Sequence, residues 1–355
     1  MRLLIVIICT FFTSTGYSQD LINVAVVGLS HDHAHVIMNE YKQHKVNIVG
    51  IAESDQNLID RYKKSYNIPD SLFHSSVEEM LAKVKPDAVL AYNPISEHID
   101  VARICLPMQL PLMVEKPLAV NSDQAEEMAA LSRKHNTPLL TNYETTWYGS
   151  NQTLKDKVTQ SDFGIIKKMI ARDGHEGPKE IGCSKEFLSW LTDPEKNGGG
   201  AVVDFGCYGA NLMTWLQNGR KPIAVTAVTR NFKPDVYPKV DDDATIILEY
   251  EHATGVIQAS WDWSYSLKDL QVYGTSSSYE AVDGNTLKYS PKHTKIAQID
   301  LKTDYYQDHL TYLKAVLDGK INTTDDLSSL ENNLIVVEIL DAAKKSAKTG
   351  KKVML

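Results

Sequence analysis

Along residues 21–143, short uninterrupted apolar runs alternate with longer stretches in which apolar positions recur every three or four residues. A run that is apolar at every position reads as a strand buried on both faces, and the longer stretches read as the helices that cover it. The pattern predicts strands over 21–28, 46–52, 87–92, 110–114 and 139–143. Helices are expected to about residue 44, over 56–66 and 75–83, from Ser96 onward, and from the capping cluster Asn121-Ser122-Asp123 to about His135. Such β-α alternation describes a doubly wound α/β unit with a parallel sheet.

From about residue 151 the pattern changes. A helix over 150–159 leads to an apolar stretch over 164–172, then to a polar loop over 173–178. The glycine run Gly198-Gly199-Gly200 feeds a helix carrying Leu212, Met213 and Trp215. Segments 223–228, 244–250, 255–263 and 269–273 alternate apolar with polar and read as antiparallel strands of one broad, open sheet. An amphipathic helix over 327–346 closes the chain. The expected fold class is therefore α/β: a Rossmann-type domain over 20–143, then an α/β domain over 144–355 with a large, mostly antiparallel open sheet.

Residues 1–18 stand apart. Met1-Arg2 precedes an apolar run from Leu3 to Phe12, followed by small and polar residues through Gln19. A short basic start, an apolar stretch too short for a bilayer and a small-residue exit describe a secretory signal peptide. Cleavage is expected near Ser18, leaving an exported protein, periplasmic or secreted, with no membrane span in its mature form. Composition changes this picture little. The 355 residues are 43% hydrophobic with a formal net charge of −8, which argues against a nucleic-acid partner. Of the four cysteines, Cys9 falls in the leader, and Cys105, Cys183 and Cys207 are scattered without zinc spacing.

Candidate chemistry gathers at the ends of the apolar runs. The first run stops at Gly28, and Leu29-Ser30-His31-Asp32-His33 follows where a helix begins, the arrangement in which backbone N–H groups hold a pyrophosphate. Ser30 and His33 stand where a dinucleotide fingerprint would place its further glycines. The cluster of His31, Asp32, His33 and His35 is open to three readings: phosphate or ribose contact, metal ligation, or helix capping and packing. No resident metal is expected. Glu53, at the end of the second strand, is placed to bond ribose hydroxyls and to repel a 2′-phosphate, which favours NAD over NADP. Lys116 sits at the tip of the strand ending in Glu115, held there by Pro117, facing the ligand crevice of a parallel sheet. His175 lies in a loop with glycine, proline and acids, a candidate base or substrate ligand.

These pieces, with Asn93-Pro94 and His98, Glu115-Lys116-Pro117, Gly198-Gly199-Gly200 leading to Asp204 and Tyr208, and the ending around Thr349-Gly350-Lys351-Lys352, resemble the glucose–fructose oxidoreductase and inositol dehydrogenase (Gfo/Idh/MocA) family. The resemblance implies a nicotinamide cofactor, NAD, contacted by the glycine turn, Glu53, Asn93, Pro94, His98 and Glu115-Lys116. It implies that Lys116 holds the reacting oxygen and that Asp204 orients Lys116 or bonds the substrate. Members usually carry a histidine base four residues after that aspartate, where this chain has Tyr208. A phenol with a pKa near 10 is a poor base unless a cation lowers it. The resemblance also implies that the open sheet faces the Rossmann domain and often mediates oligomerisation, so a homo-oligomer is expected. The expected activity is NAD-dependent oxidation of a sugar, glycoside or polyol hydroxyl. Two other readings stay open: a redox-neutral glycosidase or epimerase working through a keto-sugar, and a non-catalytic sugar-binding protein.

Overall fold

The computed structural model describes residues 21–292 and 297–355; the leader lies outside the described residues. The first half alternates as its pattern demands: β1 (Asn23–Val27), α1 (Ala34–Lys42), β2 (Asn47–Ala52), α2 (Gln56–Tyr66), β3 (Phe73–His74), α3 (Val77–Lys83), β4 (Ala88–Ala91), α4 (His98–Cys105), β5 (Leu112–Glu115), α5 (Ser122–His135) and β6 (Leu139–Asn142). Strands β4 and β5 are buried at every position, as runs without polar alternation require. Asp55, Ser76 and Asn121 cap their helices by accepting an N–H from the first turn. The six strands form a parallel sheet in the order β3-β2-β1-β4-β5-β6. Chain direction across the sheet reverses between β1 and β4, so a crevice opens beyond their C-terminal ends.

The second half runs α6 (Gly149–Val158), β7 (Ile166–Gly174), α7 (Lys185–Leu191), α8 (Ala201–Asp204), α9 (Gly206–Leu216), β8 (Ala224–Arg230), β9 (Asp243–Glu249), β10 (Thr254–Ser260), β11 (Leu267–Gly274), β12 (Ser277–Asp283), β13 (Thr286–Pro291), β14 (Ala297–Ile299), α10 (His309–Leu317), α11 (Leu330–Thr349) and β15 (Val353–Met354). Nine strands pair in the order β14-β13-β12-β11-β7-β10-β9-β8-β15. β7 and β10 are parallel, and every other neighbouring pair is antiparallel. One face packs on α9, while the other leaves Val228, Ile247 and Tyr273 exposed.

Three departures from the sequence pattern matter. Asp173 and Gly174, expected in a loop, are the last residues of β7. The short helix α7, the strands β12–β14 and β15, and the helix α10 are further elements beyond those expected from the pattern. The last helix is not amphipathic in use. Its Leu330, Leu334 and Val337 join a core beneath the first sheet, whereas Ile335, Val336, Ile339 and Leu340 join the core of the second. α10 returns to the first sheet as well, placing Leu310 and Leu313 among Val24, Val26, Ile51 and Leu90. Cys105, Cys183 and Cys207 are free thiols, and among the described residues no helix is long and apolar enough to cross a membrane.

Two stability outcomes follow from this packing. Leu313→Ala empties a fully buried site and should cost about 2–5 kcal/mol in urea unfolding. His98 is fully buried, and burial pushes its imidazole down to about 4. The unfolded chain takes up a proton near pH 6.5 and the folded one does not, so this group leaves stability untouched above pH 6.5 and lowers it as the pH falls toward 4. The loss is on the order of 3 kcal/mol. Unfolding titrations at pH 7 and pH 4.5 should show a smaller difference in His98→Gln than in the unsubstituted protein.

Candidate active site

The crevice at the β1–β4 reversal begins with a glycine that has no alternative. Gly28 has φ +76°, and a Cβ there would meet Asn93 backbone atoms at 2.8 Å. This close approach lets the turns after β1 and β4 share one wall. Glu53 braces them: one carboxylate oxygen accepts the Leu29 N–H at 2.9 Å, and the other accepts the N–H groups of Ser54 and Asp55, both at 2.8 Å. Gly28, Ser30, Glu53, Asn93 and Pro94 line a cavity of about 670 Å³, closed from the other half of the chain by Ser189 and Trp190. That volume suits a small-molecule cofactor. The Ser30 hydroxyl and the Asn93 side-chain oxygen are buried without a partner. Unsatisfied polar atoms in such a wall are what a ribose or phosphate group would satisfy, so the residues fit the dinucleotide.

The histidine cluster lies outside that lining. His31 is buried against Phe187 and Trp190, with ring centroids 4.6 and 5.4 Å away, and its Nδ1 accepts the His33 N–H at 3.1 Å. Burial pushes its imidazole far below its ordinary pKa, so it is neutral, with its proton on Nε2. His33 Nδ1 donates to Glu115 at 2.9 Å, and the second Glu115 oxygen accepts the Asn142 amide, also at 2.9 Å. Burial works against the Glu115 charge, yet His33 and this amide hold the carboxyl well below the usual range. Asp32 accepts the Ser184 N–H at 2.9 Å, tying the glycine turn to the second half of the chain. One potential donor atom from each of His31, His33 and Glu115 lies within 4.8 Å of the others, but His33 and Glu115 already satisfy one another. His98 donates from Nδ1 to the Leu118 carbonyl at 3.1 Å, anchoring the loop that follows Lys116.

Lys116 leaves the tip of β5 through a cis peptide bond to Pro117. Its ammonium donates to Asp204 Oδ1 at 2.5 Å and to the Asp204 carbonyl at 3.0 Å. Asp204 Oδ2 accepts the Trp261 indole N–H at 2.9 Å, and all three side chains are buried. The glycine run makes this possible. A Cβ on Gly200 would overlap the Asp241 carbonyl at 1.8 Å, and the Asp241 carboxylate accepts the N–H groups of Gly200 and Val202 at 3.0 and 2.7 Å. The start of α8 is thereby pinned, and Asp204 with it. Burial disfavours both charges, but each partner stabilises the other: Lys116 sits above the ordinary lysine range and Asp204 below the ordinary carboxylate range.

Tyr208, one turn on, offers its ring face to two cations, Lys116 at 5.1 Å and Lys268 at 4.3 Å from the ring centre. Neither lowers its pKa enough to make a base. Burial, then Asp173 and Glu144, push the phenol well above 10, so it is neutral at ordinary pH. His175 packs edge-on to Phe205 at 4.8 Å, and its Nδ1 accepts the Gly177 N–H at 2.9 Å. Burial lowers its pKa, and the neutral ring carries its proton on Nε2. In this geometry His175 is a hydrogen-bond donor; acting as a base through Nε2 would require giving up the Gly177 contact. Sequence reasoning missed Trp261, Asp173, Lys268 and Glu144. Lys268 donates to Glu144 at 2.5 Å and is the ladder partner of Asp173 across β11 and β7. Asp173 and Lys268 carry no local signal in their strands and meet through the ladder register, while Trp261 and Glu144 lie just past the ends of β10 and β6.

Comparisons with known proteins agree with this geometry. Residues 22–143 match the family model described as an oxidoreductase family with an NAD-binding Rossmann fold, and residues 151–280 match the GFO/IDH/MocA C-terminal domain. The chain is 28% identical over 263 residues to trans-1,2-dihydrobenzene-1,2-diol dehydrogenase of Xenopus laevis, an alignment covering 70% of this chain and 74% of that one. Its fold is similar to that of aldose-aldose oxidoreductase from Caulobacter crescentus, complexed with glycerol, with TM-score 0.78, 20% identity and coverage of 94% and 100% of the two chains. An inositol dehydrogenase homolog from Azotobacter vinelandii, complexed with NAD+, has TM-score 0.78, 16% identity and coverage of 94% and 97%. Crevice, buried lysine–aspartate pair and family models converge: the chain belongs to the Gfo/Idh/MocA family of oxidoreductases and carries its NAD-binding Rossmann fold.

Proposed function

We propose that the protein oxidises a hydroxyl of a sugar, glycoside or polyol, or reduces the corresponding carbonyl, at the tip of β5. The observation that carries this is the buried Lys116–Asp204–Trp261 chain beyond the strand ends, on the side where the crevice opens. When bound, NAD supplies the hydride acceptor. Lys116 would then hold the reacting oxygen and stabilise the negative charge it gains as the O–H proton is lost, before the hydride leaves the carbon. Asp204 fixes the direction of the ammonium and balances its charge, while Trp261 keeps the carboxylate from turning away. In this reading Tyr208 and the Nε2–H of His175 donate hydrogen bonds to the substrate. The leader pattern supports export, and the exposed apolar face of the second sheet supports a homo-oligomer. The diol and aldoses named for the relatives favour a ligand with several hydroxyls.

The protonation state sets the pH dependence. With its pKa raised, Lys116 is an ammonium at neutral pH, ready to give a proton to a carbonyl oxygen. Taking a proton from a hydroxyl requires the neutral amine. Oxidation should therefore accelerate as the pH rises through the alkaline range, whereas carbonyl reduction, which uses the ammonium, should stay level until the pH nears the raised Lys116 pKa. Initial rates in both directions between pH 6 and pH 10 test this; a pH-independent oxidation rate counts against Lys116 as the group that titrates.

The first experiment is to denature purified protein and measure released nicotinamide by absorbance and mass spectrometry. Near-stoichiometric NAD(H) is the expected result. Protein that neither contains nor binds NAD would overturn the reading and leave a sugar-binding protein. Epimerised or hydrolysed glycosides formed without added NAD would show redox-neutral turnover. Lys116→Met should bind NAD normally and lose about 10²–10⁴ in turnover.

A further inference from the structure

Asp173 is a carboxyl group that the folded chain leaves without a partner. It is 4% exposed, and neither of its oxygens has a hydrogen-bond partner. Among the described residues it is the one carboxylate-bearing side chain with both oxygens in that state. Such a group costs stability and persists where something else uses it. Its surroundings belong to the site. The charged groups that act on it are Lys268, Lys116, Asp204 and Glu144, and it acts in turn on Tyr208. Lys268, its ladder partner, stands 4.3 Å from the centre of the Tyr208 ring, with Lys116 5.1 Å from the same point. Tyr208 is thus flanked by two centres. One is Lys116 with Asp204, where the reacting oxygen belongs; the other is Lys268 with Asp173.

The geometry points to Asp173, with Lys268 beside it, as the specificity-determining site for a second substrate hydroxyl, on a carbon next to the one that reacts. This deepens the polyhydroxy-substrate reading and rests on it. Burial raises the Asp173 carboxyl well above its ordinary pKa, against the pull of Lys268 and Lys116, and so favours its protonated form. A protonated carboxyl both donates and accepts, which matches a neutral hydroxyl and rejects an apolar carbon, because the carboxyl then stays unpaired. Lys268 supplies a further donor and is held by Glu144. A ligand with one hydroxyl would engage Lys116 alone. A vicinal diol, including a sugar ring or a cyclitol, would engage both centres.

The test uses the NAD-loaded full chain and two probes that differ by one hydroxyl, trans-1,2-cyclohexanediol and cyclohexanol, with affinities measured by calorimetry. The unsubstituted protein should bind the diol about tenfold more tightly, the worth of one neutral hydrogen bond. Asp173→Ala should bring the two affinities within about twofold, while Asp173→Asn, whose amide also donates and accepts, keeps most of the preference. Asp173→Asn should melt no lower than the unsubstituted protein, because the carboxyl makes no bond to lose. An infrared band of a protonated carboxyl should be present at neutral pH, disappear in Asp173→Asn, and shift on addition of the diol but not of cyclohexanol. The infrared result stands even where Asp173→Ala fails to fold. A diol preference that survives Asp173→Ala, or a carboxyl band unmoved by the diol, overturns this inference alone. NAD-loaded protein that binds neither probe and turns over no polyhydroxy compound overturns the functional reading and this inference together.

Discussion

A lysine and an aspartate removed from water can remain charged only if they hold each other, and that constraint organises this molecule. Lys116 comes from the tip of a strand in the first sheet, and Asp204 from a short helix lying on the second. Taking either partner away leaves an uncompensated buried charge, which costs several kcal/mol. The surroundings are arranged so that neither can drift. A glycine run clamped by Asp241 positions the acid, and the Trp261 indole fixes its free oxygen. The charge that prepares the lysine for chemistry therefore also locks the two halves of the chain face to face.

Other contacts along the same seam serve the crevice. Asp32 accepts the Ser184 N–H and Arg61 pairs with Glu186 at 2.7 Å, so the turn after β1 and the helix after β2 both reach α7. Trp190, from that helix, closes the crevice wall and donates to the Ser30 carbonyl at 3.4 Å. The crevice is thus built at the strand ends of the first sheet and roofed by α7. The side chains around it are split between residues that line the crevice, such as Ser30 and Asn93, and residues such as His33 and Glu115 whose hydrogen bonds are spent on each other.

Much of this was legible in the sequence, for identifiable reasons. Runs such as Ala88–Ala91 and residues 112–114 are apolar at every position, as burial on both faces of a strand requires. Gly28, Glu53 and Lys116 each sit where a strand ends, so their places followed once the strands were found. The histidines were different. Nothing local says that His31 turns inward while Asp32 reaches across to Ser184, because those fates depend on α7, some 150 residues later in the chain. Lys268 and Asp173 were hidden for the same reason: they meet through the register of β11 on β7. Tyr208 was visible as a position, but its electrostatic setting was not, since Asp173 and Glu144 oppose the lysines beside it.

The last fifth of the chain has a consequence for how the protein is made. Leu310 and Leu313 complete the core on one side of the first sheet, and Leu330, Leu334 and Val337 complete it on the other. A chain emerging from its N-terminus, whether from a ribosome or through a translocation pore, has all its Rossmann strands long before it has those side chains. The nucleotide-binding half therefore waits, with apolar surface uncovered, until almost the whole polypeptide is free. The segments that close the first sheet on both sides are thus made after all of its strands.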